Sequence, residues 1–303
     1  MYSRPIWDYM QKELIEKYKG TIVRELGVNL EALILVGSFS RDEGIDGLSD
    51  IEFLAVIKNL LNGRRLFVLG KKVTIGFTTR KHLARLKPYI FTVETKKFGR
   101  VLWGDHGVLG SIPDYSYEDI AVSDAFTLLN NRIVEQLILW RRIKKGEAVL
   151  FYDLAKGYVQ IANSILAFHH CYQGRYAEKE EAIRELFKER NDMSSLFPGL
   201  QGEMVSAFKA LRDGSVSKSI SAEEALNKWK ELRTHMKRVW EYEGRALSYS
   251  SVGEKVRDLF KAVVKRGVPR FVIYRDALRE YFSANPSEAR CADITAKWKK
   301  FVK

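Results

Sequence analysis

Two carboxylates that follow a glycine turn have the spacing in this chain that best suits binding chemistry. Gly37 and Ser38 end one dense apolar run, and Asp50 and Glu52, with one residue between them, open the next. Because alternate side chains of a strand project from the same face, the two carboxylates are expected to lie side by side. They repel each other unless a cation lies between them, and Mg²⁺ binds carboxylates together with phosphate oxygens. The pair is therefore a candidate site for a divalent metal ion.

The turn before this pair has the residue types that a phosphate needs. Glycine lets an anion approach the backbone closely, and free N–H groups there can bind its oxygens. The Ser38 hydroxyl can add a hydrogen bond, and Arg41 can pair with a phosphate in a bidentate manner. The sequence therefore predicts that Gly37, Ser38 and Arg41 bind the phosphates of a nucleotide. In the alternative interpretation, these residues form an ordinary turn, and Asp50 and Glu52 only flank a partly exposed strand.

An α/β pattern surrounds these residues and would position them. Apolar residues at helical spacing predict a helix within the first 27 residues, and dense apolar runs predict buried strands on both sides of a Gly-rich loop. Strands are predicted at 30–38, 50–57, 64–70, 71–79 and 99–104, with a short helix at 80–86, while 89–97 fits either type.

The second part of the chain has a different spacing of its apolar residues. Beyond about residue 117, the apolar spacing becomes helical and β-branched runs become few. Helices are predicted at 118–146, 148–172, 176–190, 199–213, 219–247, 251–265 and 286–302. The predicted fold is an α+β domain with a small mixed sheet over 1–115, followed by an all-α helical bundle over 116–303 with a possible sub-boundary near 248–251.

The composition is that of a folded protein rather than a disordered or membrane-spanning one. The chain has 303 residues, of which 46% are hydrophobic and 29% charged, and no apolar run approaches the roughly 18 residues that span a bilayer. The N-terminal segment lacks the features of a secretory signal. Cys171 and Cys291 have no metal-ligand spacing. These observations predict a cytoplasmic location and no membrane partner.

The net charge of +13 favours polyanionic partners such as nucleotides and nucleic acids. The excess is uneven, and residues 250–303, which contain 13 Lys and Arg against 6 Asp and Glu, hold about half of it. This segment is either a solvated helical surface or a contact face for nucleic acid, and both interpretations stay open.

The stretch from Leu35 to Val56 resembles the motif of the DNA polymerase β-like nucleotidyltransferase superfamily. That motif has an apolar residue, Gly, Gly or Ser, a spacer of about ten residues, and then an acid, an apolar residue and a second acid. The pattern Gly37-Ser38-x-x-Arg41-x-Glu43 is similar to the minimal and aminoglycoside (kanamycin)-type members. The helical second half looks like the domain that follows the catalytic domain in the kanamycin type.

This resemblance implies an enzyme that moves a nucleoside monophosphate from an NTP to an acceptor hydroxyl with release of pyrophosphate. It also implies that the NTP is ATP. It implies Mg²⁺ or Mn²⁺ at Asp50 and Glu52. The acceptor is a small molecule, a nucleotide or an RNA end, and the net charge favours an anionic one. Lys156, on a predicted helix of the second domain, either contacts a phosphate or is a surface lysine.

One part of the family pattern is absent from this sequence. Active members have a third carboxylate on a later strand, and the matching positions here are Lys72, Thr74 and Gly76. Another acid can supply this role, either Glu94 or Glu135. Alternatively, one metal and two carboxylates suffice. In the third alternative, the protein binds a nucleotide or nucleic acid without transfer, as a regulatory or toxin–antitoxin-type module.

Overall fold

The structure is a computed structural model that describes residues 4–59, 72–247, 252–264 and 267–302. The chain divides into two compact units, Met1–Ile120 and Ala121–Lys303. In the described ranges, every helix is too short or too polar to cross a lipid bilayer.

The first unit has four strands and four helices among its described residues. The predicted strand at 64–70 lies outside those residues, and the ambiguous segment 89–97 is helical. The elements are α1 (Arg4–Leu26), β1 (Leu30–Val36), α2 (Gly37–Ser40), β2 (Ile51–Ile57), β3 (Val73–Thr78), α3 (Arg80–Leu83), α4 (Ile90–Phe98) and β4 (Arg100–Gly104).

The four strands form one mixed sheet in the order β3-β2-β1-β4. Strand β1 is antiparallel to both β2 and β4, whereas β2 and β3 are parallel. Strand β1 therefore lies inside the sheet beside β2, and the turn that follows β1 lies beside the start of β2. The mixed sheet that the sequence predicts is confirmed.

Strand β2 is buried on both of its faces, which explains why its sequence is a dense apolar run rather than an alternating one. On one face, Phe53 and Ala55 join a core that includes Ile22 and Leu26 of α1. The residues Leu54 and Val56 point to the other face, where the core contains Leu83, Val108 and Ile112. Glu52 is an exposed position of this strand and lies on the second face by alternation.

The second unit is helical, as predicted, and the fold class inferred from the sequence is confirmed. Its elements are α5 (Val122–Lys144), β5 (Val149–Leu150), α6 (Phe151–Phe168), α7 (Tyr176–Glu189), α8 (Asn191–Leu196), α9 (Leu200–Asp213), β6 (Ser219–Ile220), α10 (Ala222–Gly244), α11 (Val252–Val264), α12 (Arg270–Tyr281) and α13 (Glu288–Val302).

Helix α12 is not among the helices predicted from the sequence. It begins at Arg270, directly after Pro269, and continues with β-branched and aromatic residues, which have modest helix propensity. Burial overrides that propensity, because one face of the helix enters the bundle core. The buried residues include Ile273, Tyr274, Ala277 and Tyr281.

The core of the helical unit contains a buried carboxyl group. Glu243 on α10 is fully buried and accepts a hydrogen bond of 2.6 Å from the Ser164 hydroxyl on α6. Its second oxygen, Oε1, has no hydrogen-bond partner within the described part of the chain. Because burial disfavours the charged form, the pKa of Glu243 is raised to about 8.

Candidate functional site

The turn after β1 and the first acid of β2 are in direct contact. Val36 pairs with Glu52 across the antiparallel ladder, and Gly37 follows with a φ of +72°. A Cβ atom added to Gly37 would lie 2.0 Å from Oε2 of Glu52. The carboxylate therefore rests against the α-carbon of Gly37, and both the backbone conformation and the available space require glycine there.

Asp50 lies one residue before β2, at the same end of the strands as the turn that contains Gly37. The strand begins at Ile51, whose N–H donates a hydrogen bond of 2.9 Å to the carbonyl oxygen of Lys72. Asp50 and Glu52 are both exposed, whereas the rest of the strand is buried. Alternation along the chain puts the two carboxylates on the same side.

The neighbouring strand β3 places no acid beside this pair. Glu52 is in register with Thr74, which is exposed, and the Lys72 ammonium donates to the carbonyl oxygen of Gly47. Among the described residues, no group of three or more His, Cys, Asp or Glu side chains could hold a metal ion. Two carboxylates still fit Mg²⁺, because this ion usually keeps several waters and takes phosphate oxygens as further ligands.

The loop between the turn and β2 is held by local contacts. The Ser40 hydroxyl donates to the Gly37 carbonyl oxygen at 2.8 Å, and the N–H of Glu43 donates to the Ser38 carbonyl oxygen at 2.9 Å. The buried ring of Phe39 packs so closely beneath Gly44 that a Cβ there would lie 2.5 Å from it. These contacts fix the path of the backbone around Ser38, which is half-buried.

Arg41 is buried and forms ion pairs with two carboxylates. Its side chain is 8% exposed, and its Nε and Nη1 lie 2.9 Å and 2.7 Å from carboxylate oxygens of Glu43 and Glu94. The guanidinium thus joins the loop to α4, and its charge is matched by two acids. No role was predicted for Glu43, although its place in the motif, two residues after Arg41, indicates this contact.

Replacing Arg41 with methionine is expected to lower the free energy of unfolding by about 3 kcal/mol, because two mostly buried carboxylates would each lose an ion pair with the guanidinium. Urea denaturation at neutral pH measures this change. A second substitution, Glu94→Gln, in the Arg41→Met background should recover part of the loss.

The matched control is an exposed ion pair in the same unit. Arg100 pairs with Asp42, and both side chains are largely exposed. Arg100→Met is expected to change the unfolding free energy by less than about 1 kcal/mol. Equal effects of the Arg41 and Arg100 variants would show that the buried cluster does not stabilise the loop.

The remaining predicted site residues of the second unit lie around one pocket. Glu135 on α5 pairs with Arg132, and the ammonium of Lys156 on α6 lies 4.7 Å from the ring centroid of Tyr152. Both Glu135 and Lys156 line a pocket of about 180 Å³, together with Arg132, Gln136, Ile138, Leu139, Arg142 and Asp153. The structure therefore brings Glu135 and Lys156 together, and it places Glu94 with Arg41 in the first unit.

No protein-family model and no curated protein matches the chain. Among solved structures, the chain is similar to spectinomycin adenyltransferase AAD(9) from Enterococcus faecialis, solved with ATP and spectinomycin, at 13% sequence identity and a TM-score of 0.47. The alignment covers 75% of this chain and 98% of that chain.

Proposed function

We propose that the protein is a nucleotidyltransferase whose first unit binds a divalent cation and a nucleoside triphosphate. The reaction transfers the nucleoside monophosphate to an acceptor hydroxyl, and pyrophosphate leaves. The observation that carries this proposal is the contact between the Glu52 carboxylate and Gly37. It puts a candidate metal ligand and a candidate phosphate-binding turn within one site, as a metal-bound triphosphate requires.

Each residue of the proposed site has a separate role. Asp50 and Glu52 bind Mg²⁺ or Mn²⁺, which neutralises charge on the phosphate oxygens when it is bound. The backbone of Gly37 accepts the close approach of a phosphate, and Ser38 donates a hydrogen bond to it. Arg41 fixes the loop through Glu43 and Glu94, and it thereby supports the turn that binds the phosphates.

Two acids are candidates for the base that accepts the proton of the acceptor hydroxyl. Glu94 belongs to the Arg41 cluster, and Glu135 lines the pocket that also contains Lys156. That pocket has three basic and two acidic side chains, so it offers both charge signs to an acceptor. Comparing the turnover of Glu94→Gln with that of Glu135→Gln separates these assignments, because loss of the base lowers turnover by about 100-fold or more.

Asp50→Ala is expected to weaken Mg²⁺-dependent binding of a non-hydrolysable ATP analogue by about 100-fold or more, equal to about 2.7 kcal/mol. The reason is that a metal ligand is lost while the exposed position leaves the fold intact. Isothermal titration calorimetry with and without Mg²⁺ measures the effect.

Asp46→Ala is the matched control, because it removes the same charge from the same loop. The Asp46 carboxylate accepts a hydrogen bond from the N–H of Gly47 and has no role in the proposed site. This variant should keep nucleotide affinity within about threefold of the parent, a difference below about 0.7 kcal/mol. Unchanged binding by Asp50→Ala would refute the assignment of the metal site.

A second candidate function is nucleotide binding without transfer. Thr74 occupies the position in register with Glu52, and Lys72 precedes it, so β3 supplies no third carboxylate. A measurement of pyrophosphate release distinguishes nucleotidyl transfer from nucleotide binding alone. A panel of NTPs and acceptors that gives Mg²⁺-dependent binding and no pyrophosphate would support the binding module.

A further inference from the structure

Helix α11 carries a stripe of exposed apolar side chains. Val256, Leu259, Phe260 and Val263 are 60%, 47%, 72% and 76% exposed. Their spacing of i, i+3, i+4 and i+7 puts all four on one side of the helix. We call these four residues the α11 stripe. Scattered exposed apolar residues are common, but a contiguous stripe of this kind marks an interaction surface.

The opposite side of α11 is attached to the rest of the helical unit. Asp258 is buried and lies 3.1 Å from Nε of Arg270, while Ala262 is also buried. The ammonium of Lys261 lies 4.1 Å from the ring centroid of Phe301 on α13. The helix is therefore anchored by a polar and small-residue face, and this anchoring leaves the α11 stripe facing outward.

The α11 stripe lies in a basic part of the chain. Residues 250–303 contain 13 Lys and Arg against 6 Asp and Glu, and Lys265 and Arg266 directly follow the helix in the sequence. Lys255, adjacent to Val256, is exposed. An apolar stripe with basic surroundings is the composition of a helix that lies on an anionic lipid surface.

The size of the stripe argues against a second copy of the chain as the occupant. Four side chains present a few hundred Å² of apolar surface, whereas a stable dimer buries about 800 Å² on each partner. Two copies would also bring the same basic segments together. The phosphates of a nucleic acid would contact the basic residues, but the apolar side chains of the α11 stripe would stay exposed to water.

We propose that α11 binds the surface of an anionic membrane. The α11 stripe enters the boundary between headgroups and acyl chains, and the surrounding Lys and Arg residues contact lipid phosphates. The helix lies in the plane of the surface and does not span the bilayer. This peripheral attachment goes beyond the proposed transferase activity and does not depend on it.

The test is flotation of the full-length protein with vesicles. Vesicles that contain phosphatidylglycerol mixed with phosphatidylcholine should bind the protein at low salt, and vesicles of phosphatidylcholine alone should bind it at least tenfold less. The double variant Phe260→Ser/Val263→Ser should lose at least tenfold of the binding. Because both side chains face solvent, this variant is expected to keep its helical circular dichroism spectrum.

Leu196→Ser is the matched control, since Leu196 is an exposed apolar residue of the same unit outside the stripe. It should bind vesicles as the parent does. The proposal is overturned if the parent does not bind the anionic vesicles, or if the double variant binds them equally well. It is also overturned if light scattering shows a dimer that the double variant dissociates, because the stripe would then bind a second copy.

Discussion

Gly37→Ala is expected to abolish Mg²⁺-dependent nucleotide binding, lowering affinity by about 100-fold or more. The added methyl group would lie 2.0 Å from Oε2 of Glu52, so the carboxylate must leave its place against the turn. The φ of +72° at this position adds backbone strain for any residue with a Cβ. The substitution therefore displaces the proposed metal ligand and distorts the proposed phosphate-binding turn at the same time.

Gly47→Ala separates these two effects. Gly47 has a φ of +67°, and a Cβ there would meet nothing within 4 Å. The variant carries the backbone strain, of about 1 to 2 kcal/mol, without a clash at the carboxylate. We expect similar losses of thermal stability from strain in both variants and a loss of nucleotide binding only in Gly37→Ala. Equal binding by the two variants would show that Glu52 does not depend on the glycine.

Glu243→Gln is expected to stabilise the protein increasingly as the pH rises from about 5 to 8. The pKa of Glu243 is raised by burial from 4.5 to about 8 in the folded state. Below pH 4.5 the carboxyl is protonated in both states, and its contribution is most favourable. Between the two pKa values only the unfolded chain ionises, so stability falls by about 1.4 kcal/mol per pH unit. Above pH 8 both states are ionised and the loss is complete.

Glutamine retains a carbonyl oxygen for the Ser164 hydroxyl and cannot ionise, so the variant avoids this loss. The measurement is the difference in unfolding free energy between variant and parent, from urea titrations at several pH values. Glu241→Gln is the control, because Glu241 lies on the same helix with half of its side chain exposed. A difference that is independent of pH for Glu243→Gln would contradict the raised pKa.

The elements with strong periodicity could be predicted from the sequence, whereas those stabilised by tertiary burial could not. Strands β1 and β2 are dense apolar runs bounded by polar turns, and each lies within two residues of its predicted position. The first turns of helices α4 and α12 are rich in β-branched and aromatic residues, so their local propensity is ambiguous. Only the packing of their buried faces decides that they are helical.

The same distinction holds for the candidate site. The proximity of Gly37 to Glu52 follows from the antiparallel pairing of β1 with β2, in which Val36 lies opposite Glu52, and the pattern of residues predicted both members. The partners of Arg41 did not follow from the pattern, because Glu94 is 53 residues away on an element of uncertain type. Long-range ion pairs of this kind depend on how helices pack on the sheet, which no local spacing encodes.

The burial of β2 on both faces has a consequence for how reliably this protein folds. A slip of one residue in the pairing of β2 would turn every side chain to the opposite face of the sheet. Glu52 would then face the core formed with α1, where an unpaired carboxylate costs several kcal/mol. The acid proposed to bind the metal thus also helps to fix the register of β2. Its charge is exposed in the native pairing, and a sheet with shifted pairing would be destabilised by burying it.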